Sequence, residues 1–326
     1  MPGPWTFHST MRESEHMSAI ATDADLPAAR TRNAMPQHSE LVVVPVRSPW
    51  RWVTPVLIVL AVAACVHLVA FNPRFQWDVF GHYLFTAQIL QGLFLTLWLT
   101  AVTMAVGFVL GTALAIMRLS QSATLSRASR LYVWFFRGTP VLVQLIFWYN
   151  LAALFPTYVI GIPFGPVFFE GSVNDLITPV TAAILGLGLN EGAYMAEIVR
   201  AGIQSVHAEQ HDAARALGMR SRLSMRRIIL PQAMQFIVPP TGNETIGMLK
   251  TTSLVSVIAL YDLLYSAQSI YSRTYETIPL LLVACFWYLI ATSVLSLIQM
   301  RIERHFQRSN RDTAPSAGFL FWKTLR

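Results

Sequence analysis

An all-α protein that crosses a membrane about six times is what the sequence predicts, and three observations carry the prediction. Of the 326 residues, 54% are apolar and only 13% are charged, about half the charged share of an ordinary soluble domain. Runs free of Asp, Glu, Lys and Arg extend over residues 52–73, 79–117, 138–169 and 277–300, and a bilayer span needs roughly 20 mostly apolar residues. The basic residues gather in the N-terminal tail, in 118–137, in 200–227 and after Arg301, whereas the segments expected outside carry only Arg74 and Arg273. This is the positive-inside asymmetry of an inner membrane protein, and it places both termini inside. The net charge of +7 therefore reports topology, and the placement argues against a nucleic-acid partner.

Residues 1–48 are rich in Ser, Ala, Pro and Thr, with mixed charge and no sustained period, the composition of a disordered tail. Arg47, Trp50, Arg51 and Trp52 suit the headgroup level and anchor a first span over 52–71, inside a segment 49–72. No cleavable signal is expected, because the apolar stretch begins late and is long enough to span. The block before Arg118 is too long for one span, so an interfacial helix is expected over 82–91 and the second span over 92–117. That span holds Gly107 and Gly111, a four-residue spacing that lets helices approach closely.

Residues 118–130 read as an inner loop, followed by a third span over 131–154. Arg137 stands directly before Gly138-Thr139-Pro140 at the mouth of this span; it either snorkels to the headgroups or faces a pathway. Residues 155–175 read as an outer loop with partly embedded turns. The fourth span, 176–198, carries Asn190, Glu191, Tyr194 and Glu197. Carboxylates inside a membrane are costly and face a cavity or a partner, although Glu197 can equally lie at the inner interface beside Arg200. The fifth span, 236–261, is expected to be interrupted at Pro239-Pro240 and Gly242, and holds Asn243, Glu244, Lys250, Thr251, Thr252 and Ser253. Broken spans are tolerated where the freed backbone faces protein or a watery cavity, and polar residues at such breaks are frequent in transporters. An outer loop over 262–276 and a sixth span over 278–300 complete the count, and 305–326 forms an inner tail.

Enzyme chemistry finds no constellation. The two lysines, Lys250 and Lys323, have no glycine-rich phosphate-loop spacing, and neither HExxH nor GxSxG occurs. Cys65 and Cys285 sit in apolar spans as packing residues, with no metal-ligand spacing and no disulfide framework. No cofactor and no metal are expected.

Between the fourth and fifth spans lies the most polar stretch of the central chain, 209–233. Arginines stand at 215, 220, 222, 226 and 227. Asp212 suits a helix N-terminus, where a carboxylate complements the dipole. Ala213, Ala214 and Ala216 are strong helix formers of small bulk, and Ala213, Ala216 and Leu217 make a small apolar face by their spacing. Gly218 is a helix stop, and Pro231 suits the start of the next helix. One short docking helix and a return to the membrane are expected.

The spacing of Asp212-Ala213-Ala214, Gly218 and Ile228-x-Leu230-Pro231 resembles the "EAA" loop of binding-protein-dependent ABC importer permeases. The stretches FRGTPVLVQLIFWYN (136–150), NEGAYMAEIVRAGIQSV (190–206) and LKTTSLVSVIAL (249–260) look like the polar amino-acid branch of that family. Aspartate stands at 212 where the family usually has glutamate, and His207-Ala208 replaces a Pro-Lys-like pair. The resemblance implies a five-helix type I permease core over 86–304, with the segment 49–72 as an extra N-terminal span. It further implies two separate ABC ATPase subunits, a second permease subunit (identical or homologous) and a binding protein that delivers a polar amino acid from outside. The loop 207–233 would hold the coupling helix, with Asp212, Ala213, Ala214, Leu217 and Gly218 at the ATPase contact. The pathway would draw on Arg137, Thr139, Glu191, Tyr194, Asn243, Glu244, Lys250 and Ser253, although Lys250 paired with a carboxylate could equally lock spans together. An ion-coupled carrier or channel, and a membrane scaffold that docks a cytosolic partner, are the rival readings. The expected location is the inner membrane of a bacterial cell.

Overall fold

The structure, a computed structural model, describes residues 50–162 and 167–307. The expected tail over 1–48 and all but the first residues of 305–326 lie outside the described residues. Chain contacts fall into two units, 1–63 and 64–326. The division lies within helix α1 (Trp50–Ala70), whose apolar side chains from Val53 to Leu68 are exposed around its circumference. A helix that is apolar all round belongs in a membrane or a large core.

In the second unit, a 3-10 turn (Pro73–Phe75) and a short helix α2 (Trp77–Tyr83) precede α3 (Ala87–Leu119). The expected helix over 82–91 is therefore not one element. Thr86 is extended and its hydroxyl donates to Tyr83 O at 3.0 Å, which separates α2 from α3.

The third expected span is bent. Helix α4 (Ala123–Gly138) begins inside what reads as a loop, and α5 (Val141–Tyr149) leaves it at 99°. The cause is local: Pro140 has no N–H and pushes the residue before it out of helical geometry, and Thr139 is accordingly extended (φ −116, ψ 143). A single turn, α6 (Leu151–Leu154), leads to an antiparallel hairpin of β1 (Thr157–Gly161) and β2 (Val167–Ser172), the one departure from an all-helical chain among the described residues. This hairpin stands where a turn-rich loop is expected. Glycine at 171 leaves room for the cross-strand Tyr158, whose hydroxyl would lie 2.5 Å from a Cβ there.

After a turn α7 (Val173–Leu176), helix α8 (Pro179–Gln204) starts with Thr178 accepting from Thr181 N and proline at its first position, a favoured N-terminus. It is the central helix of this unit. Ala182, Ala183, Gly186, Leu187, Glu191, Gly192, Met195 and Ala196 are buried along it, and its most extensive partner is α3. Glycines set that contact: Gly107 of α3 faces Glu191, and Gly111 faces Met195 and Ala196.

Helix α9 (Ala208–Ala216) follows, then one turn α10 (Ser221–Ser224), a π-helical stretch (Met225–Ile229) and α11 (Leu230–Thr251) with Pro231 in its first turn. The interruption expected at Pro239-Pro240 is absent, since α11 runs through both prolines. Side-chain bonds surround the prolines: Gln299 Nε2 donates to Pro239 O at 3.3 Å, and Thr241 Oγ1 donates to Ile237 O at 2.8 Å. The helix changes later, into a 3-10 stretch (Thr252–Ile258) that ends at Ala259 in the left-handed region (φ 55). Residues 262–276, expected as a loop, form α12 (Leu263–Thr274), and α13 (Thr277–Gln307) closes the described chain.

Among the described residues, α1, α3 and α13 are long and apolar enough to cross a membrane, and five segments qualify when each bent pair counts as one. Helix α8 stands outside that count; its 26 residues give it the length, and Asn190 and Glu191 at its middle lower its apolar content.

Candidate functional site

The break between α4 and α5 creates the first feature of the site. Phe136 O, freed at the end of α4, accepts from Asn190 Nδ2 at 2.9 Å and from Gln144 Nε2 at 3.1 Å. Gln144 Nε2 also reaches Thr139 Oγ1 at 2.7 Å, and Gln144 Oε1 accepts from Asn190 at 3.3 Å. Two amides from two helices, with Thr139 in the break itself, thus satisfy one bend, as buried backbone groups require. Tyr132 adds a fourth tie, donating to Leu189 O at 2.8 Å.

Beside this bend lies a cavity of about 490 Å³, lined chiefly by Arg137, Thr139, Asn190, Glu191, Tyr194 and Glu244, with Gly247, Met248 and Thr251 on the α11 side. Its walls come from the α4–α5 break, the middle of α8 and the second half of α11. Arg137 lies over the Tyr194 ring, 4.9 Å from its centroid, a cation–π position. Glu191 is 3% exposed and its Oε1 has no hydrogen-bond partner among the described residues. A buried carboxylate oxygen left without a donor is a group that a ligand can satisfy.

Of the residues expected in a pathway, Arg137, Thr139, Glu191, Tyr194 and Glu244 meet at this cavity. Asn243, Lys250 and Ser253 do not. Asn243 lies about 100° round the helix from Glu244 and accepts from Gln299 Nε2 of α13 at 3.0 Å. Lys250 is exposed and forms no ion pair among the described residues, and Ser253 Oγ donates to Lys250 O at 2.7 Å. Sequence reasoning missed the part of Asn190 and Gln144. Gln144 is the lone amide in the run VLVQLIFWY, and a polar residue inside an apolar segment was the signal that pointed to it.

The second feature is α9. It begins at Ala208 after His207, so Asp212 sits a turn inside the helix rather than at its N-terminus, and Glu209 takes the first-turn acidic position. Asp212 Oδ1 instead accepts from Arg215 Nη2 at 2.7 Å, with both side chains exposed. The end of α9 is a full Schellman stop: Gly218 N donates to Arg215 O at 2.9 Å, Met219 N donates to Ala214 O at 3.1 Å, and Gly218 has φ +71. Ala214 is fully buried, whereas Ala213, Ala216 and Leu217 are exposed, Leu217 at 77%. The helix therefore turns one alanine inward and offers a small apolar face outward.

Residues 107–311 match the family described as binding-protein-dependent transport system inner membrane component. The chain is 43% identical over 289 residues to an arginine transport system permease protein of Corynebacterium glutamicum, covering 88% of each chain. It is 37% identical over 226 residues to a nopaline transport system permease protein of Agrobacterium fabrum, covering 68% of this chain and 90% of that one. The fold resembles a crystal structure of an amino acid ABC transporter with histidines, with a TM-score of 0.58, 36% identity, and coverage of 68% of this chain and 95% of the other.

Proposed function

The chain belongs to the binding-protein-dependent transport system inner membrane components, and from that premise we propose that the cavity beside the α4–α5 break passes an amino acid with a cationic side chain. The observation that carries this reading is a charge count. Two carboxylates, Glu191 and Glu244, face one guanidinium, Arg137, in the same cavity. An amino acid of the arginine type has the complementary set, two cations and one carboxylate. Its α-carboxylate would meet Arg137, and its two cationic groups would meet Glu191 and Glu244. The similarity to an arginine transport permease supports the same class.

In this reading the chain is the membrane subunit of an ATP-driven importer and ATP is hydrolysed by a partner. Two ATPase subunits would sit against α9, with Asp212, Ala213, Ala214, Leu217 and Gly218 at or under the contact. A second permease subunit would complete the pathway, and a binding protein would deliver the amino acid from outside. The arginines of 200–227, one in the last turns of α8 and the others between α8 and α11, support an inner position for that segment, six spans and both termini inside. The extra first span and the tails over 1–48 and 305–326 complete the proposed domain plan. Displacement of α9 on ATP binding would tilt α8 and α11 together and alternate the access of the cavity, a hinge or shear change.

Uptake of radiolabelled L-arginine into vesicles holding the chain with its partner ATPase tests the reading. Uptake is expected to need ATP, and Glu244→Gln is expected to lower it by about tenfold, the size of one lost charge-assisted contact. Uptake driven by an ion gradient with no ATPase present would overturn it, as would a Glu244→Gln variant with unaltered arginine uptake.

A further inference from the structure

At the end of α8 nearest to α9, one carboxylate joins two helices. Glu197 Oε2 accepts from Arg118 Nη1 at 2.9 Å and from Arg200 Nε at 3.1 Å. Its Oε1 accepts from Arg200 Nη2, and Arg200 Nη1 donates in turn to Gln204. All three charged side chains are partly buried. Arg118 belongs to the last turn of α3, Glu197 to the last two turns of α8, and α9 begins four residues after α8 ends. Next to this cluster, Ala115, Val199, Val206, Ile229, Ala233 and Ile237 bury one another and bring in the start of α11.

Packing alone already draws α3 and α8 together. Gly107 and Gly111 present bare backbone to Glu191, Met195 and Ala196, and close backbone approach is what such small-residue faces provide. The contact interdigitates, since Val106 and Leu110 of α3 press in turn into the gaps at Gly188 and Gly192 of α8, and these knobs lie between positions 106 and 111 of α3. Beyond them, at the inner end of α3, the charged tie to α8 is the bond from Arg118 to Glu197, and the bidentate pairing of Arg200 within α8 fixes the direction in which Glu197 presents its carboxylate.

We propose that Glu197 is a positioning residue for energy coupling: it holds the end of α3 in fixed register on α8, so that the two helices move as one body when α9 is displaced. The far end of that body is the cavity wall, where Glu191 of α8 rests on Gly107 of α3. Without the strut, the inner end of α3 parts from α8 and the motion of α9 dissipates before it reaches Glu191. The inference rests on the reading of α9 as the ATPase contact.

The test uses the whole transporter, copurified through a tag on this chain and reconstituted in proteoliposomes. Uptake of radiolabelled L-arginine and release of phosphate are measured on the same preparation. Glu197→Gln is expected to keep ATP hydrolysis while arginine moved per ATP falls at least about fivefold, the lower end of ordinary coupling between sites. Arg118→Gln is expected to give the same fall, and the double variant no further fall, since two residues of one contact do not add. An unchanged ratio in either single variant overturns the inference. So does an additive double variant, or a loss of uptake and hydrolysis in equal proportion with a lowered melting temperature, which marks a merely structural pair. A wild-type complex that hydrolyses ATP without linked uptake instead overturns the reading of α9, a result visible before any variant is made.

Discussion

Glu191 of α8 rests directly on Gly107 of α3: a Cβ at position 107 would lie 2.5 Å from the Glu191 Cγ and 2.8 Å from its Cβ. The carboxylate that lines the cavity is thus aimed by a glycine on another helix. Gly107→Ala is expected to displace Glu191, to destabilise the fold by ~1–3 kcal/mol as overpacking does, and to reduce L-arginine uptake in proportion to the misplacement. Thermal unfolding in detergent beside an uptake assay measures both. Gly81→Ala, at a position with nothing within 4 Å of the added methyl, is the control expected to leave both unaltered.

Gly218 tests the stop of α9. Its φ of +71 strains a β-branched residue, by ~1–2 kcal/mol for a left-handed conformation. Gly218→Val is expected to unwind the stop and lower the amount of ATPase that copurifies with the tagged chain. Gly218→Asn, a residue that tolerates this conformation, is expected to retain most of it. Equal recovery with valine and glycine would show that the Schellman geometry is dispensable for docking.

Asp262 is fully buried and caps α12, accepting from Tyr265 N at 2.8 Å and from Leu264 N at 3.3 Å, while the Tyr288 hydroxyl donates to it at 3.2 Å. Asp262→Ala is expected to lower stability by ~1–2 kcal/mol, the usual loss for an N-cap, and Asp262→Asn by less, because its side-chain oxygen still accepts. A melting curve that does not move for alanine would mean that water replaces the cap.

Gln144→Leu removes the amide that serves Phe136 O, Thr139 and Asn190 together. A loss of about 1 kcal/mol is expected, since hydrogen bonds between spans are individually modest. The larger effect is expected on the apparent KM for arginine, because Thr139 and Asn190 line the cavity that Gln144 braces. A kcat effect without a KM effect would place the bend outside substrate binding.

The apolar runs made the spans legible, and the alanine–glycine spacing made α9 legible, because each depends on neighbours in sequence. Bends were not legible. Pro140 stands at a 99° turn between two helices while α11 continues through Pro239 and Pro240, although proline chemistry is the same at all three. The difference lies in what surrounds them: Thr139 is extended and Phe136 O, the carbonyl that Pro140 leaves free, is served by Gln144 and Asn190, whereas α11 stays helical through both of its prolines. Asn190 stands 54 residues from Phe136 in the chain, and no local window contains both. The same holds within the cavity. Glu244 and Asn243 look equivalent in sequence, and only the packing of α13 against one face of α11 tells which of them faces Arg137.

The seven residues from Thr252 to Ile258 are wound as a 3-10 helix. A 3-10 helix rises about 2.0 Å per residue and an α-helix 1.5 Å, so this stretch reaches roughly 3–4 Å farther than the same residues would as a continuation of α11. Hydroxyls of Thr251, Thr252 and Ser253 already serve the carbonyls of Gly247, Leu249 and Lys250 at its start, so the backbone there is not held by the α ladder alone. The wall that carries Glu244, Gly247 and Thr251 therefore continues into a stretch with a longer rise per residue than the helix before it, and that rise helps to set how far α12 stands from the cavity.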